Sequence, residues 1–120
     1  MDIIWAISML LILINIVFGL YGYLAPDRTM DILGLKLVEG RLDGKSEVRA
    51  ASGCAYIMLS VGALVIGQPI AFAMVGFAYP GGAIGRITSI IVDGSGSSVT
   101  WPFFMIEAFF ALFLIGGNLY

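Results

Sequence analysis

The chain has 120 residues, 60% of them hydrophobic and only 12% charged, with a net charge of −2 and a mean hydropathy of +1.02; a soluble domain runs nearer half apolar and a quarter charged. A chain of 120 residues cannot bury so much apolar surface internally, so lipid must cover the rest, and the composition defines an integral membrane protein. With no histidine, one cysteine (Cys54) and no Lys/Arg cluster, it offers no disulfide framework, no ordinary zinc, copper, haem or iron–sulfur site, and no nucleic-acid surface.

The first apolar segment runs from about Ile3 to Leu24. It lacks the basic n-region of a signal peptide and exceeds a usual h-region. Tyr23 also spoils the small-x-small pattern before Pro26, so a retained first span is expected. A connection of about twenty residues follows, APDRTMDILGLKLVEGRLDGK. In it Met30, Leu33 and Leu37 recur at helical spacing between charges, which predicts a short interfacial helix that Gly34 and Gly40 weaken. The second span covers about Ser46 to Gly67 and the third about Pro69 to Val92, with little more than Gly67, Gln68 and Pro69 between them. That spacing predicts a tight antiparallel hairpin. Pro80 should kink the third span and free a carbonyl near Gly76. The turn DGSGSSVT, with Thr100 as a candidate N-cap, leads to a fourth span from about Trp101 to Leu119. Each segment has the length a helix needs to cross ~30 Å of hydrocarbon. The expected fold is all-α, a single domain built as an antiparallel bundle of four transmembrane helices with a long first cytoplasmic loop.

Orientation follows from the cations. Arg28, Lys36, Arg41 and Lys45 lie in the first loop, while the second loop and both tails carry no Lys or Arg. The positive-inside rule then puts loops one and three in the cytoplasm and both termini outside. The expected location is a bacterial inner membrane.

Apart from Asp2, the ionisable residues near or inside the spans gather in one leaflet. Arg86 lies about six residues, ~9 Å, from the end of span three, and Glu107 lies equally far into span four from the same surface. Glu47 and Arg49 open span two, and Asp93 closes span three. Arg49, Ser52, Tyr56 and Ser60 share one face of span two, and Tyr79, Gly82, Arg86, Ser89 and Asp93 one face of span three. Glu107, Ala111 and Asn118 do the same on span four, and Ser8, Asn15, Gly19 and Gly22 on span one. These stripes predict a polar pocket near the cytoplasmic surface, in which Glu107 pairs with Arg86, Arg49 or both, because a lone charge in the membrane is costly. Glu47 and Arg49 point apart, so only one can share the interior fully. Small residues at four-residue spacing, Gly81 with Gly85, Ala78 with Gly82, and Ala51 with Ala55, mark expected close helix contacts. The aromatic residues Trp101, Phe103, Phe104, Phe109, Phe110, Phe113 and Tyr120 predict a broad outward surface on span four.

The runs GKSEVRAASG and GRITSIIVDG, with a lone Glu in the last span, resemble a bacterial family of small four-helix membrane proteins catalogued as a domain of unknown function and grouped with DoxX-like proteins. Its E-x-R-A and G-R-x-x-S…D-G motifs match Glu47, Arg49, Ala50, Gly85, Arg86, Ser89, Asp93 and Gly94, and its last-span glutamate matches Glu107. Gly53-Cys54 stands where members often have Gly-Gly. The resemblance implies the bundle and its charged residues and brings no activity.

Two readings of function follow. In the first, the charged residues form a buried network that fixes helix order, and the chain packs as an accessory or scaffolding subunit on a larger membrane complex, of respiratory or photosynthetic type, or on a second copy. In the second, the pocket formed by Arg49, Arg86, Glu107, Tyr56 and Tyr79 holds the head group of a quinone, an isoprenoid or an anionic lipid. Glu107 is the one conceivable acid/base, but no nucleophile stands beside an oriented base and no cofactor motif appears. No catalytic residue is therefore assigned.

Overall fold

The computed structural model describes residues 2–96 and 100–119. Ser97, Ser98 and Val99 of the Gly/Ser connection, and Tyr120 of the aromatic group, lie outside the described residues. Among the described residues all regular structure is helical. The order is α1 (Ile3–Leu24), α2 (Pro26–Leu33), α3 (Asp43–Arg49), a π-helical turn (Ala50–Cys54), α4 (Ala55–Ile66), α5 (Pro69–Gly76), α6 (Ala78–Asp93) and α7 (Thr100–Leu119). Four helices are long and apolar enough to cross a membrane: Ile3–Leu24, Asp43–Ile66, Pro69–Asp93 and Thr100–Leu119. The second begins three residues before the expected Ser46. Its first turn carries Asp43, which a helix N-terminus favours, so the helix starts in the polar loop ahead of its apolar part. Thr100, expected as an N-cap, already stands within α7.

The first loop holds the predicted short helix. Pro26 opens α2 at a position where its missing N–H costs nothing. Gly34 ends it at φ 74°, with the Leu35 N–H reaching back to the Met30 carbonyl at 2.8 Å and the Gly34 N–H to Asp31 at 3.3 Å. This is a Schellman cap. Met30 is buried, whereas Leu37 lies beyond the cap and packs beside Gly44.

Packing divides the chain into two compact units, Ile12–Val65 and Met1–Leu11 with Ile66–Tyr120. In the first, the second half of α1 meets the π-turn and α4 almost backbone to backbone. A Cβ at Gly22 would fall 2.2 Å from the Ser52 carbonyl oxygen, one at Gly19 2.7 Å from that of Gly53, and one at Gly53 2.8 Å from the Tyr23 nitrogen. This approach brings Asn15 within reach of α4. Its amide donates to the Ser60 hydroxyl at 2.7 Å and the Tyr56 carbonyl at 3.2 Å. Asn15 and Ser60 are both fully buried. Residue numbers rise along α1 as those of its partners fall.

The π-turn revises the face expected for this span. An i→i+5 turn inserts one residue into the helical register and rotates everything before it by ~100° relative to an uninterrupted α-helix. Ser60 is buried as the spacing implies, but Gly53 is buried in place of the expected Ser52, and the next inward position is Val48, at 5% exposure, while Arg49 and Glu47 are both exposed. Neither charge enters the interior. Ala51 and Ala55 are exposed as well, so their expected helix contact is absent and Gly53 supplies the close approach instead.

In the other unit, α5 and α6 pack on α7. The break between them falls at Phe77, whose N–H is shared between the Ala73 and Met74 carbonyls, each at 3.1 Å. Restarting the helix at Ala78 leaves Pro80 in the first turn of α6, where the ring is tolerated and the Gly76 carbonyl is freed as expected. Gly76 also sets the spacing to α7, because a Cβ there would lie 2.7 Å from the Leu114 Cβ. The Asn118 amide donates to the Ser8 hydroxyl and to the Leu114 carbonyl, both at 2.9 Å.

Polarity is inverted relative to a soluble domain. Ser8, Asn15, Ser60 and Glu107 are buried, while Leu10, Val17, Val65, Ile91, Leu112 and many other large apolar side chains are exposed. Hydrocarbon is the solvent that suits such a surface.

Because the α1 contact is backbone to backbone, Gly22→Ala and Gly53→Ala are expected to lower stability by about 1–3 kcal/mol each, the cost of overpacking. Gly62→Ala, where a Cβ would meet nothing, should leave it unchanged or slightly raised. Unfolding midpoints in a fixed detergent check this, and an equal response at all three sites would contradict the close approach.

Candidate functional site

Arg86 stands on α6 and Glu107 on α7, each seven residues from its helix end, Asp93 and Thr100. The shared depth read from the sequence brings the two side chains together. The Arg86 Nε–H donates to Glu107 Oε1 at 2.6 Å, and the guanidinium carbon lies 5.0 Å from the centre of the Phe103 ring. Glu107 is 8% exposed, and the Arg86 side chain is 32% exposed. The pair thus holds a charge-assisted hydrogen bond and a cation–π contact in a site that excludes most solvent.

The floor of the site is backbone. A Cβ at Gly82 would lie 2.0 Å from Glu107 Oε2, so any larger residue there would force the carboxylate to move. Gly81 and Gly85 do something different. Both are exposed, and a Cβ at either would meet nothing, so the expected contact through that pair is not made within the chain. The inward face of α6 contains Tyr79, Gly82, Arg86 and Ser89, three or four residues apart. Gly81 and Gly85 lie to one side of it.

Tyr79 packs on Phe110 with ring centres 4.7 Å apart. Phe110 is buried and Phe103 sits under Arg86, so these two aromatic residues leave the expected outward surface, to which Trp101 and Phe109 still belong. Ser89 donates to the Asp93 carboxylate at 2.9 Å and accepts from the Ser95 hydroxyl at 2.9 Å. Asp93 is exposed at the end of α6, next to Gly94, whose φ of 67° terminates the helix.

Arg49 and Tyr56 belong to the other unit. The Arg49 Nη1 donates to the Tyr23 carbonyl at 2.5 Å, one of the last four carbonyls of α1, which lack partners within the helix. A cation is favoured at that terminus, so Arg49 caps α1. Lys45 pairs with Asp27 at 3.0 Å, tying α3 to α2, and Arg41 pairs with Asp43. Beside Arg49 an open cavity of about 440 Å³ is lined by Leu42, Lys45, Ser46, Arg49, Ala50 and Cys54.

Of the residues singled out in the sequence, Arg86, Glu107 and Gly82 form one site, with Tyr79 a helical turn away. Sequence reasoning missed the roles of Phe103, Gly53 and Gly76. Phe103 carried a signal, standing one helical turn before Glu107. Gly53 carried none, because the π-turn that turns it inward cannot be seen in hydrophobic periodicity.

These features define an all-helical protein with four helices able to span a membrane and a charged pair held between two of them. The chain belongs to the family described as a domain of unknown function (DUF4345), which matches residues 3–116. No curated protein and no solved structure matches it.

Removing either charge leaves the other poorly satisfied, so Arg86→Gln and Glu107→Gln are each expected to destabilise by about 1–3 kcal/mol. The double variant should lose clearly less than the sum, a coupling that a thermal double-mutant cycle measures. Gly82→Ala should resemble Glu107→Gln, whereas Gly81→Ala and Gly85→Ala should have little effect. Additive losses at Arg86 and Glu107 would show that the two do not act as a pair.

Proposed function

We propose that this protein is an accessory or scaffolding subunit of a larger complex in a bacterial inner membrane, with its four spans assembled as one antiparallel bundle. Loops one and three face the cytoplasm and both termini face outward. The opposed residue order of the helix contacts within each unit supports the antiparallel arrangement, and the cations of the first loop support the orientation.

The observation that carries the accessory role is that Glu107 is closed within the chain. It is bonded to Arg86, seated on Gly82 and 8% exposed, which suits a helix clamp better than a reaction centre. Apolar side chains facing outward on α1, α4 and α7 supply surface for lipid or a neighbouring subunit. The second reading, a ligand site, draws on the cavity beside Arg49 and points to an anionic head group rather than to a quinone or isoprenoid.

Extraction into native nanodiscs followed by native mass spectrometry tests the role. The expected outcome is an assembly of fixed stoichiometry containing larger subunits; a lone monomer would overturn it, and a homodimer would make a second copy the partner. For orientation, Lys36→Cys in a Cys54→Ser background should react with an impermeant maleimide in inside-out vesicles and not in intact cells, and the reverse pattern would invert the topology.

A further inference from the structure

The cavity beside Arg49 differs from the Arg86–Glu107 site in its availability. Its lining combines two cations and a hydroxyl, Lys45, Arg49 and Ser46, with the apolar side chains of Leu42, Ala50 and Cys54. Lys45 and Arg49 stand four residues apart on one face of α3, and both side chains contribute to the lining of the same space. Arg49 commits one Nη1–H to the Tyr23 carbonyl, and a guanidinium has four further N–H groups. Lys45 has one partner, Asp27, and an ammonium has three N–H groups.

Asp27 offsets part of the Lys45 charge through their ion pair at 3.0 Å, whereas Arg49 is bonded to a neutral carbonyl and keeps its charge. Asp43 is held by Arg41. None of Asp27, Asp43 and Glu47 lines the space. The hollow also has a structural cause, since Ala50 and Cys54 are the first and last residues of the π-turn, where the widened helix departs from regular α-packing.

The location selects the kind of anion. The cavity sits at the head of the Asp43–Ile66 span, where the charged loop gives way to apolar helix. Below it α4 carries the exposed apolar side chains Met58, Leu59, Val61 and Val65. An anion bound there on an acyl chain places its charge against Lys45 and Arg49 and its chain along α4. A basic site on the cytoplasmic side of a span has the chemistry that holds anionic head groups.

We propose that this cavity binds the phosphate head group of an anionic phospholipid, with Lys45, Arg49 and Ser46 as its polar contacts and its acyl chain lying along α4. The shared chemistry is a phosphate anion, for which free phosphate is the rival source. The inference rests on the membrane-spanning reading and is independent of the accessory role.

The chain's one cysteine lines the cavity, so its alkylation reports occupancy. The full chain is placed in phosphatidylcholine nanodiscs with or without phosphatidylglycerol, and Cys54 is timed against N-ethylmaleimide, a neutral reagent that surface potential does not concentrate. Phosphatidylglycerol is expected to slow the reaction about tenfold once it exceeds its dissociation constant by a similar factor. Ala50→Leu, which fills the cavity, and Lys45→Gln, which spares the Arg49 cap, should each lose the dependence on phosphatidylglycerol; Ala50→Leu should keep the unfolding midpoint, and Lys45→Gln should lower it by no more than the loss of one exposed ion pair. Adding inorganic phosphate to pure phosphatidylcholine discs separates the sources. No effect supports the lipid, and protection by phosphate alone overturns the acyl-chain part of the proposal. An unchanged rate in phosphatidylglycerol discs overturns the site while leaving the spanning reading intact, whereas failure to enter discs would remove the spanning reading itself.

Discussion

A polar group inside hydrocarbon has no water to fall back on, so the chain must supply its partner, and the helices must come close enough for short side chains to meet. This requirement organises each unit. Asn15 reaches Ser60 at 2.7 Å, Asn118 reaches Ser8 at 2.9 Å and Arg86 reaches Glu107 at 2.6 Å. None of the three acceptors lies on its donor's own helix. Glycines set the separations. Gly19, Gly22 and Gly53 let α1 approach the π-turn and α4, while Gly76 and Gly82 do the same for α5, α6 and α7. With no hydrophobic driving force between helices in lipid, tight packing and these polar contacts are what hold the elements together.

Two interruptions tune that packing. The break at Phe77 follows from Pro80, which cannot donate to the Gly76 carbonyl, and it leaves Gly76 against Leu114 and Tyr79 against Phe110. The π-turn at Ala50–Cys54 has the opposite character. It adds a residue instead of losing a hydrogen bond, and it turns Gly53 and Val48 inward while leaving Arg49 at the surface. That rotation allows Arg49 to cap the end of α1 and face a cavity.

The two arginines therefore occupy different chemical positions although both open onto the ends of spans. Arg86 is committed to a carboxylate and a phenyl ring, with the carboxylate seated against Gly82. Arg49 is committed to one carbonyl and otherwise faces open space shared with Lys45. A committed charge is suited to fixing helix register, and an uncommitted one to recognising an anion that arrives from outside.

Composition and hydropathy alone pointed to a helical protein with four segments able to span a membrane, because helix length in lipid is set by bilayer thickness and every residue in a span must be tolerable to hydrocarbon. Depth counting alone also matched Arg86 to Glu107, since rise per residue is constant along a helix. The short loop helix was legible from Met30 and Leu33, whereas Gly34, which by sequence only weakens a helix there, proves to be its cap. Rotation was not legible in the second span. A face is inferred by multiplying a fixed angle per residue, and one inserted residue in the π-turn moved Arg49 out of the interior and Val48 into it. Spacing put Gly82 on the Arg86 face, but it also marked Gly81 and Gly85 as a close contact, and only the position of the Glu107 carboxylate shows that Gly82 is the tightly packed one. The tertiary structure decided which glycine is needed and which cation remains available, because both depend on what lies across the interface.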